Sequence, residues 1–375
     1  MRLLLDATAI PADRGGVGRY VDALLPALAE QGVDLVVVCQ ARDASVTSEI
    51  VPSAEIAVAP ALTSGRPARM TWEQVGLPRL VRGTGVQVLH SPHYTMPRLA
   101  GVPVVVTLHD ATFYSHPELH SPLKGRFFRA AIRTAVRRAA GLVVPSAATR
   151  DEVRRFVGGT EDQYQVAHHG VDTSLFRPVG DAERSRVRGS LGLGPEQEYV
   201  GFLGTLEPRK NVPALVRAWV AAVAHTPDPP ALVLAGGRGW DDAVEPAVRA
   251  VPAHLQVLRT GYLPLGDLAG FLGGARIVAY PSLGEGFGLP VLEAMACGAA
   301  VLTTRELSLP EVGGDAVAYC GTDEESIASS LREMLDDPAR CTVLAADAVE
   351  RAAGFTWAAA ASAHVAAYER ALHRE

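Results

Sequence analysis

The chain has 375 residues, 48% of them hydrophobic and 20% charged, which is enough for two domains that each bury a core. Its net charge of -6, from 35 basic and 41 acidic residues, argues against a dedicated nucleic-acid partner. Cys39, Cys297, Cys320 and Cys341 include no short pair and have no histidine at ligand spacing, so they suggest neither a zinc site nor a disulfide framework.

The apolar run at the start, Met1 to Asp6, is too short for a signal peptide, and no stretch approaches the roughly 18 uncharged apolar residues of a membrane span. A cytoplasmic location is expected. Leu3 to Leu5 reads as a buried strand, and Asp13 to Tyr20 as a glycine turn opening a helix with apolar residues at Val21, Leu24, Leu25 and Leu28. Val33 to Cys39, Val86 to His90, Val102 to His109, Gly141 to Val144 and Val166 to His168 are further β-rich runs. Helical or irregular stretches separate them, as in a parallel sheet covered on both faces. The Gly-Pro-punctuated passage Asp172 to Pro195 breaks this alternation and is the expected boundary. Strands resume at Val200 to Leu203, Ala231 to Ala235, Leu255 to Leu258, Ile277 to Tyr280, Ala300 to Thr303 and Val317 to Tyr319. The expectation is two doubly wound α/β domains, 1–175 and 195–356, with an alanine-rich helix at about 357–375 as a candidate to pack back on the first.

Three loops carry chemistry. In the stretch Tyr280 to Gly298 a strand runs into glycines at 284, 286 and 288, and Pro290 opens a helix that Gly298 ends. Such a loop aims free amides and a helix dipole at one point, suited to a diphosphate or an oxygen-rich ligand, and Glu285 and Glu293 bracket that point. Taken alone, the pattern reads first as a glycine-broken turn before a helix-start glutamate, so the decision depends on the rest of the chain. Gly204 to Asn211 also links a strand to a helix and brings Arg209 and Lys210 to the mouth of the second sheet, as a diphosphate site or as a solvated charged turn. His109 and Asp110 end an apolar strand, where an active-site group or a hydrogen-bonded structural histidine can sit. Gly15, Gly16 and Gly18 lack the Gly-x-Gly-x-x-Gly fingerprint, which disfavours a nicotinamide dehydrogenase.

The run Glu285-Gly-Phe-Gly-Leu-Pro-Val-Leu-Glu293 resembles the paired-glutamate motif of retaining glycosyltransferases of family GT4, and the likeness spans the chain. It extends to Gly15-Gly16, His109-Asp110, Val144-Pro-Ser146, Gly170-Val-Asp172, Gly204 to Asn211 and Ala235-Gly-Gly237. Gly204 to Asn211 further resembles bacterial members acting in cell-envelope, lipopolysaccharide or mannoside assembly, where GDP-mannose is a frequent donor.

The resemblance implies a GT-B fold, two Rossmann-like domains facing each other across a deep cleft, with the acceptor on the first and the nucleotide sugar on the second. It implies retaining transfer of a hexose, mannose foremost, to a lipid-linked or glycan acceptor. It places Glu293 on the ribose, Glu285 on the sugar hydroxyls, and the amides of Phe287, Gly288 and Leu289 on sugar or phosphate, with Gly286 in the same loop. Arg209 and Lys210 neutralise the diphosphate, Gly16 approaches it from the first domain, His109 touches the transferred sugar, and the loop with Leu263 holds the base. The leaving phosphate takes the acceptor proton, and neither metal nor cofactor is called for, in keeping with the lack of an Asp-x-Asp motif. Many relatives carry Arg where this chain has the donor-binding candidate Thr205, so one phosphate contact is either missing or supplied by Arg209, and many carry Asn where it has His169.

Between Leu119 and Arg150 lie seven cations (Lys124, Arg126, Arg129, Arg133, Arg137, Arg138, Arg150) and no acid. Arg126, Arg129, Arg133 and Arg137 fall on one helical face, opposite Phe128, Ile132, Val136 and Ala139. The basic helix 124–138 reads as a peripheral contact with an anionic membrane or as a core-packed helix with a solvated face. The alternatives to a mannosyltransferase are a UDP-sugar donor (a glucosyl- or N-acetylglucosaminyltransferase), an epimerase or phosphorylase of the same shape, and a non-catalytic nucleotide-sugar binder. A phosphorylase is disfavoured because no lysine follows Lys210 to hold pyridoxal phosphate.

Overall fold

The computed structural model describes residues 1–12 and 14–374, so Asp13 of the first glycine turn and Glu375 lie outside the described residues. The chain forms two units, residues 1–170 with the segment from Thr356 onward, and Val171–Phe355.

The first unit is a parallel sheet of β1 (Arg2–Asp6), β2 (Asp34–Cys39), β3 (Glu55–Val58), β4 (Val88–Ser91), β5 (Val104–Thr107), β6 (Gly141–Val144) and β7 (Tyr164–Val166), in the order β3-β2-β1-β4-β5-β6-β7. The central strands are apolar at almost every position because helices cover both faces, leaving Leu3, Leu4, Val105 and Val106 inaccessible to solvent. The second unit repeats the pattern with β8 (Tyr199–Leu203), β9 (Ala231–Ala235), β10 (Val257–Gly261), β11 (Ile277–Tyr280), β12 (Val301–Thr304) and β13 (Ala318–Cys320), ordered β10-β9-β8-β11-β12-β13. In each sheet the chain order reverses at one place, between β1 and β4 and between β8 and β11. Ligands of such sheets bind beyond the carboxyl ends of the strands at that switch point.

Four expectations are corrected. The passage Asp172 to Pro195 is not the boundary, since the second unit already begins at Val171: Phe176, Val179, Val187 and Leu193 are buried in its core, and Asp181–Ser190 is a helix. These apolar residues are widely spaced, so each plugs the core without forming a visible run. β7 begins two residues earlier than Val166, and β10 starts at Val257 and runs on to Gly261, because Leu255 plugs the core from a turn, its amide bonded to the Pro252 carbonyl. Arg129 does not share the solvated face of the basic helix Pro122–Arg138: it is half-buried and donates to the Phe113 carbonyl at 3.2 Å. Lys124, Arg126, Arg133, Arg137 and Arg138 are exposed there, alongside Leu123 and Phe127.

The closing helix Trp357–Leu372 packs within the first unit through a buried polar circuit. His364 Nδ1 lies 2.7 Å from the Ala360 carbonyl and must donate to it, so His364 Nε2 accepts from Tyr20, also at 2.7 Å. Tyr20 then accepts from Thr107 (3.0 Å), Thr107 from His90 Nε2 (2.8 Å), and His90 Nδ1 from Tyr368 (2.9 Å). Every proton in the circuit has one place to go, so these buried groups are satisfied only when all are present. Gly170 makes the return possible, since a Cβ there would collide with the Trp357 backbone.

Candidate active site

The second unit brings Glu285, Arg209 and Lys210 together at its switch point, on loops that follow β11 and β8. Lys210 Nζ lies 2.7 Å from Glu285 Oε1, and Arg209 pairs with the other carboxylate oxygen. Arg209 also donates to Glu207 at 2.7 Å and to the Gly284 carbonyl at 2.8 Å. Glu285 Oε1 further accepts from Ser282 (2.7 Å) and Tyr280 (3.1 Å), while Lys210 donates to the Tyr280 oxygen. Two acids thus balance two cations in a pocket where Lys210 and Glu285 are 7% and 6% exposed.

The electrostatics follow from that packing. Burial alone would raise the Glu285 carboxyl, but the charges of Arg209 and Lys210 outweigh it and hold the group at about 2. Lys210 is pushed below the usual lysine range by burial and by Arg209 beside it, with Glu285 opposing. The Tyr280 phenol is driven well above its ordinary range by burial and by the Glu285 charge, so it stays a donor.

Local chain geometry explains why glycines occupy this loop. Gly236 has φ +130 and a Cβ there would land on the Gly204 backbone, so the strand-end loops of β8 and β9 can touch only without side chains. Gly288, at φ +101, caps the helix Leu289–Ala296, and a Cβ would come 2.9 Å from Leu309. The helix therefore starts at Leu289 and puts Glu293 in its second turn, buried, which corrects the expectation of a first-turn acid. Among the described residues the amides of Gly288 and Leu289 have no hydrogen-bond acceptor, as expected of helix-start donors free for a ligand. Phe287 is buried edge-on to Phe355, Gly286 is buried, Thr205 is half-buried with its carbonyl bonded to the Glu207 amide, and Leu263 packs against the core beside the exposed Tyr262.

In the first unit Gly16 is exposed at the start of the helix Gly15–Glu30, with open space around it. Arg14 precedes it at φ 56, pinned by Asp22 and Asp43. His109 follows β5; its Nε2 lies 2.7 Å from the Pro92 carbonyl and must donate, which leaves Nδ1 as an acceptor. Burial lowers its imidazole, against the Pro92 bond and Asp110, so it is neutral near pH 7. The predicted residues therefore fall into two sets, Gly16 and His109 on one unit and all the others on the second. Tyr280, Ser282 and Glu207 were not singled out from the sequence, although Ser282 and Tyr280 stand three and five residues before Glu285.

Residues 14–175 match the family described as Glycosyltransferase Family 4, and residues 197–337 match Glycosyl transferases group 1. The O-antigen chain mannosyltransferase B of Escherichia coli is 31% identical over 285 residues, covering 75% of this chain and 74% of that protein. The chain is a family 4 glycosyltransferase. The transferase is also similar to the D-inositol 3-phosphate glycosyltransferase 1 of Catenulispora acidiphila, at 29% identity over 96% of this chain and 92% of the relative. A crystal structure of Anabaena HepE in complex with UDP-glucose superposes on the transferase with a TM-score of 0.75 at 18% identity, covering 96% and 97% of the two chains, and shares its GT-B fold. No helix among the described residues is long and apolar enough to cross a membrane.

Proposed function

We propose that the transferase moves mannose from GDP-mannose, with retention of configuration, onto a lipid-linked or glycan acceptor in cell-envelope glycoconjugate synthesis. The observation that carries the catalytic part is the Glu285–Arg209–Lys210 cluster at the switch point of the second sheet. The donor diphosphate takes the place of Glu285 as partner of the two cations, and the freed carboxylate accepts hydrogen bonds from the sugar hydroxyls. Helix-start amides at Gly288 and Leu289 add donors, and Glu293 holds the ribose. The bond from the anomeric carbon to phosphate breaks as the bond to the acceptor oxygen forms on the same face. The acceptor proton passes to the departing phosphate oxygen, so no protein base is needed. Arg209 and Lys210 supply the charge compensation a divalent ion would otherwise give, and turnover is metal-independent in this reading.

The mannose assignment draws on the likeness to the O-antigen mannosyltransferase. A second reading, a UDP-sugar donor with a small phosphorylated polyol as acceptor, is favoured by the full-length likeness to the D-inositol 3-phosphate enzyme and by the fold shared with the UDP-glucose complex. Release of nucleoside diphosphate from GDP-mannose, UDP-glucose, UDP-N-acetylglucosamine and ADP-glucose, each with EDTA and with lipid or glycan acceptors, separates the two. Turnover confined to UDP-sugars would remove the mannose assignment, and turnover unchanged in Lys210→Ala would remove the catalytic one. The exposed cations of the helix Pro122–Arg138, with exposed Leu123 and Phe127 between them, suit peripheral docking on an anionic membrane.

A further inference from the structure

His93 lies just past the carboxyl end of β4, beside His109, and no role in the reaction has yet fallen to it. Its ring stands 5.9 Å from that of His109 and packs edge-on against Tyr94 (5.1 Å) and Phe128 (5.7 Å). Among the described residues neither of its ring nitrogens makes a hydrogen bond, although every ring nitrogen of His90 and His364 behind it does. The side chain is half-buried and keeps part of its surface open to solvent. Burial, together with the charges of His109, Arg69 and Lys124, lowers its imidazole to about 3, so the ring is neutral and carries one acceptor and one donor.

The backbone beside it is strained. Tyr94 has φ +59, a left-handed conformation that costs a bulky residue of order 1 kcal/mol or more. It is held there by its amide on the Thr107 carbonyl (3.0 Å) and by the Asp110 amide on its hydroxyl (3.0 Å). Both anchors sit at the end of β5, so the strain ties the His93 loop to the segment that carries His109. A histidine needed only to fill space would call for neither the strained neighbour nor the unbonded nitrogens.

We propose that His93 is an acceptor-binding residue, whose free ring nitrogen accepts a hydrogen bond from an acceptor hydroxyl. It rests on the proposed transferase function and on the expectation, implied by the family resemblance, that the acceptor lies on the first unit, and it holds for either donor. No proton moves to His93.

His93→Phe keeps the edge-on packing and removes both nitrogens, while His93→Asn restores one polar group. With whichever of GDP-mannose or UDP-glucose turns over, two rates are compared, nucleoside diphosphate release to water and transfer to octyl α-mannoside or D-inositol 3-phosphate. Nucleoside diphosphate affinity is measured by calorimetry alongside. For His93→Phe, kcat/KM for the acceptor falls about ten- to a hundredfold, mostly through KM, while hydrolysis and nucleotide affinity stay within about twofold. His93→Asn recovers part of the loss. Equal losses in hydrolysis and transfer, or transfer unchanged in His93→Phe, would overturn the proposal. A failure of GDP-mannose as donor is a separate result, since it corrects the donor assignment and leaves the comparison intact with UDP-glucose.

Discussion

Replacing Glu285 with glutamine keeps the shape of the side chain and removes a charge that both Arg209 and Lys210 contact. Taking away one partner of a buried ion pair costs about 3–5 kcal/mol, because the remaining charge is left in a poor solvent. Glu207 stays 2.7 Å from Arg209 and 3.9 Å from Lys210, so the lower end, about 3 kcal/mol, applies here. A unit the size of Val171–Phe355 loses about 2–4 °C of melting temperature per kcal/mol, so Glu285→Gln melts roughly 6–12 °C lower. A nucleoside diphosphate restores the missing negative charge. It therefore raises the melting temperature of Glu285→Gln more than that of the native protein, and binds it more tightly, while sugar transfer falls about a hundredfold. Differential scanning fluorimetry across a GDP and UDP titration reads all but the last. A melting temperature within about 2 °C of native, or a weaker nucleoside diphosphate affinity in the variant, would refute the reasoning.

Gly236→Ala forces a Cβ into the Gly204 backbone at φ +130 and should destabilise the second unit by about 3 kcal/mol with loss of nucleotide binding, read by melting and calorimetry. His364 is buried and its imidazole is lowered to about 4 from 6.5, by burial first, so its neutral form contributes stability that is present above pH 6.5 and is lost as pH falls toward 4. Urea unfolding at pH 7, 6 and 5 should show the first unit weakening by up to about 1.4 kcal/mol per pH unit from this group, and His364→Gln should flatten that slope. In flotation with anionic liposomes, charge reversal at the exposed Arg126, Arg133 and Arg137 should abolish binding. Reversal at Arg129 is a poor probe, because it also breaks the bond to Phe113.

Both sheets were legible because strands buried on two faces read as unbroken apolar runs, as in Val104–Thr107 and Ile277–Tyr280. β3 escaped notice because it is an edge strand: Glu55–Val58 has exposed ends and a half-buried middle, with no run to detect. The two glutamates and the Arg-Lys pair could be picked out as candidates from glycine placement and strand-end position, but each also fitted a bland reading until the family resemblance was added. Their mutual pairing was not, since Arg209 and Lys210 are separated from Glu285 by more than seventy residues and meet only because β8 and β11 are neighbours. His93 carried no local signal either. Its standing comes from what its ring nitrogens lack and from the strained residue next to it, neither of which a sequence displays.

The Val171 amide is bonded to the Phe355 carbonyl at 3.0 Å, so the second unit begins and ends at the same point. It is an insertion into the first, entered and left through one doorway, and the closing helix completes a fold that was begun before the insertion was made. A gene encoding such a protein can exchange the whole second unit by recombination at two codons whose products touch, leaving the chain of the first unit unaltered on either side of the splice.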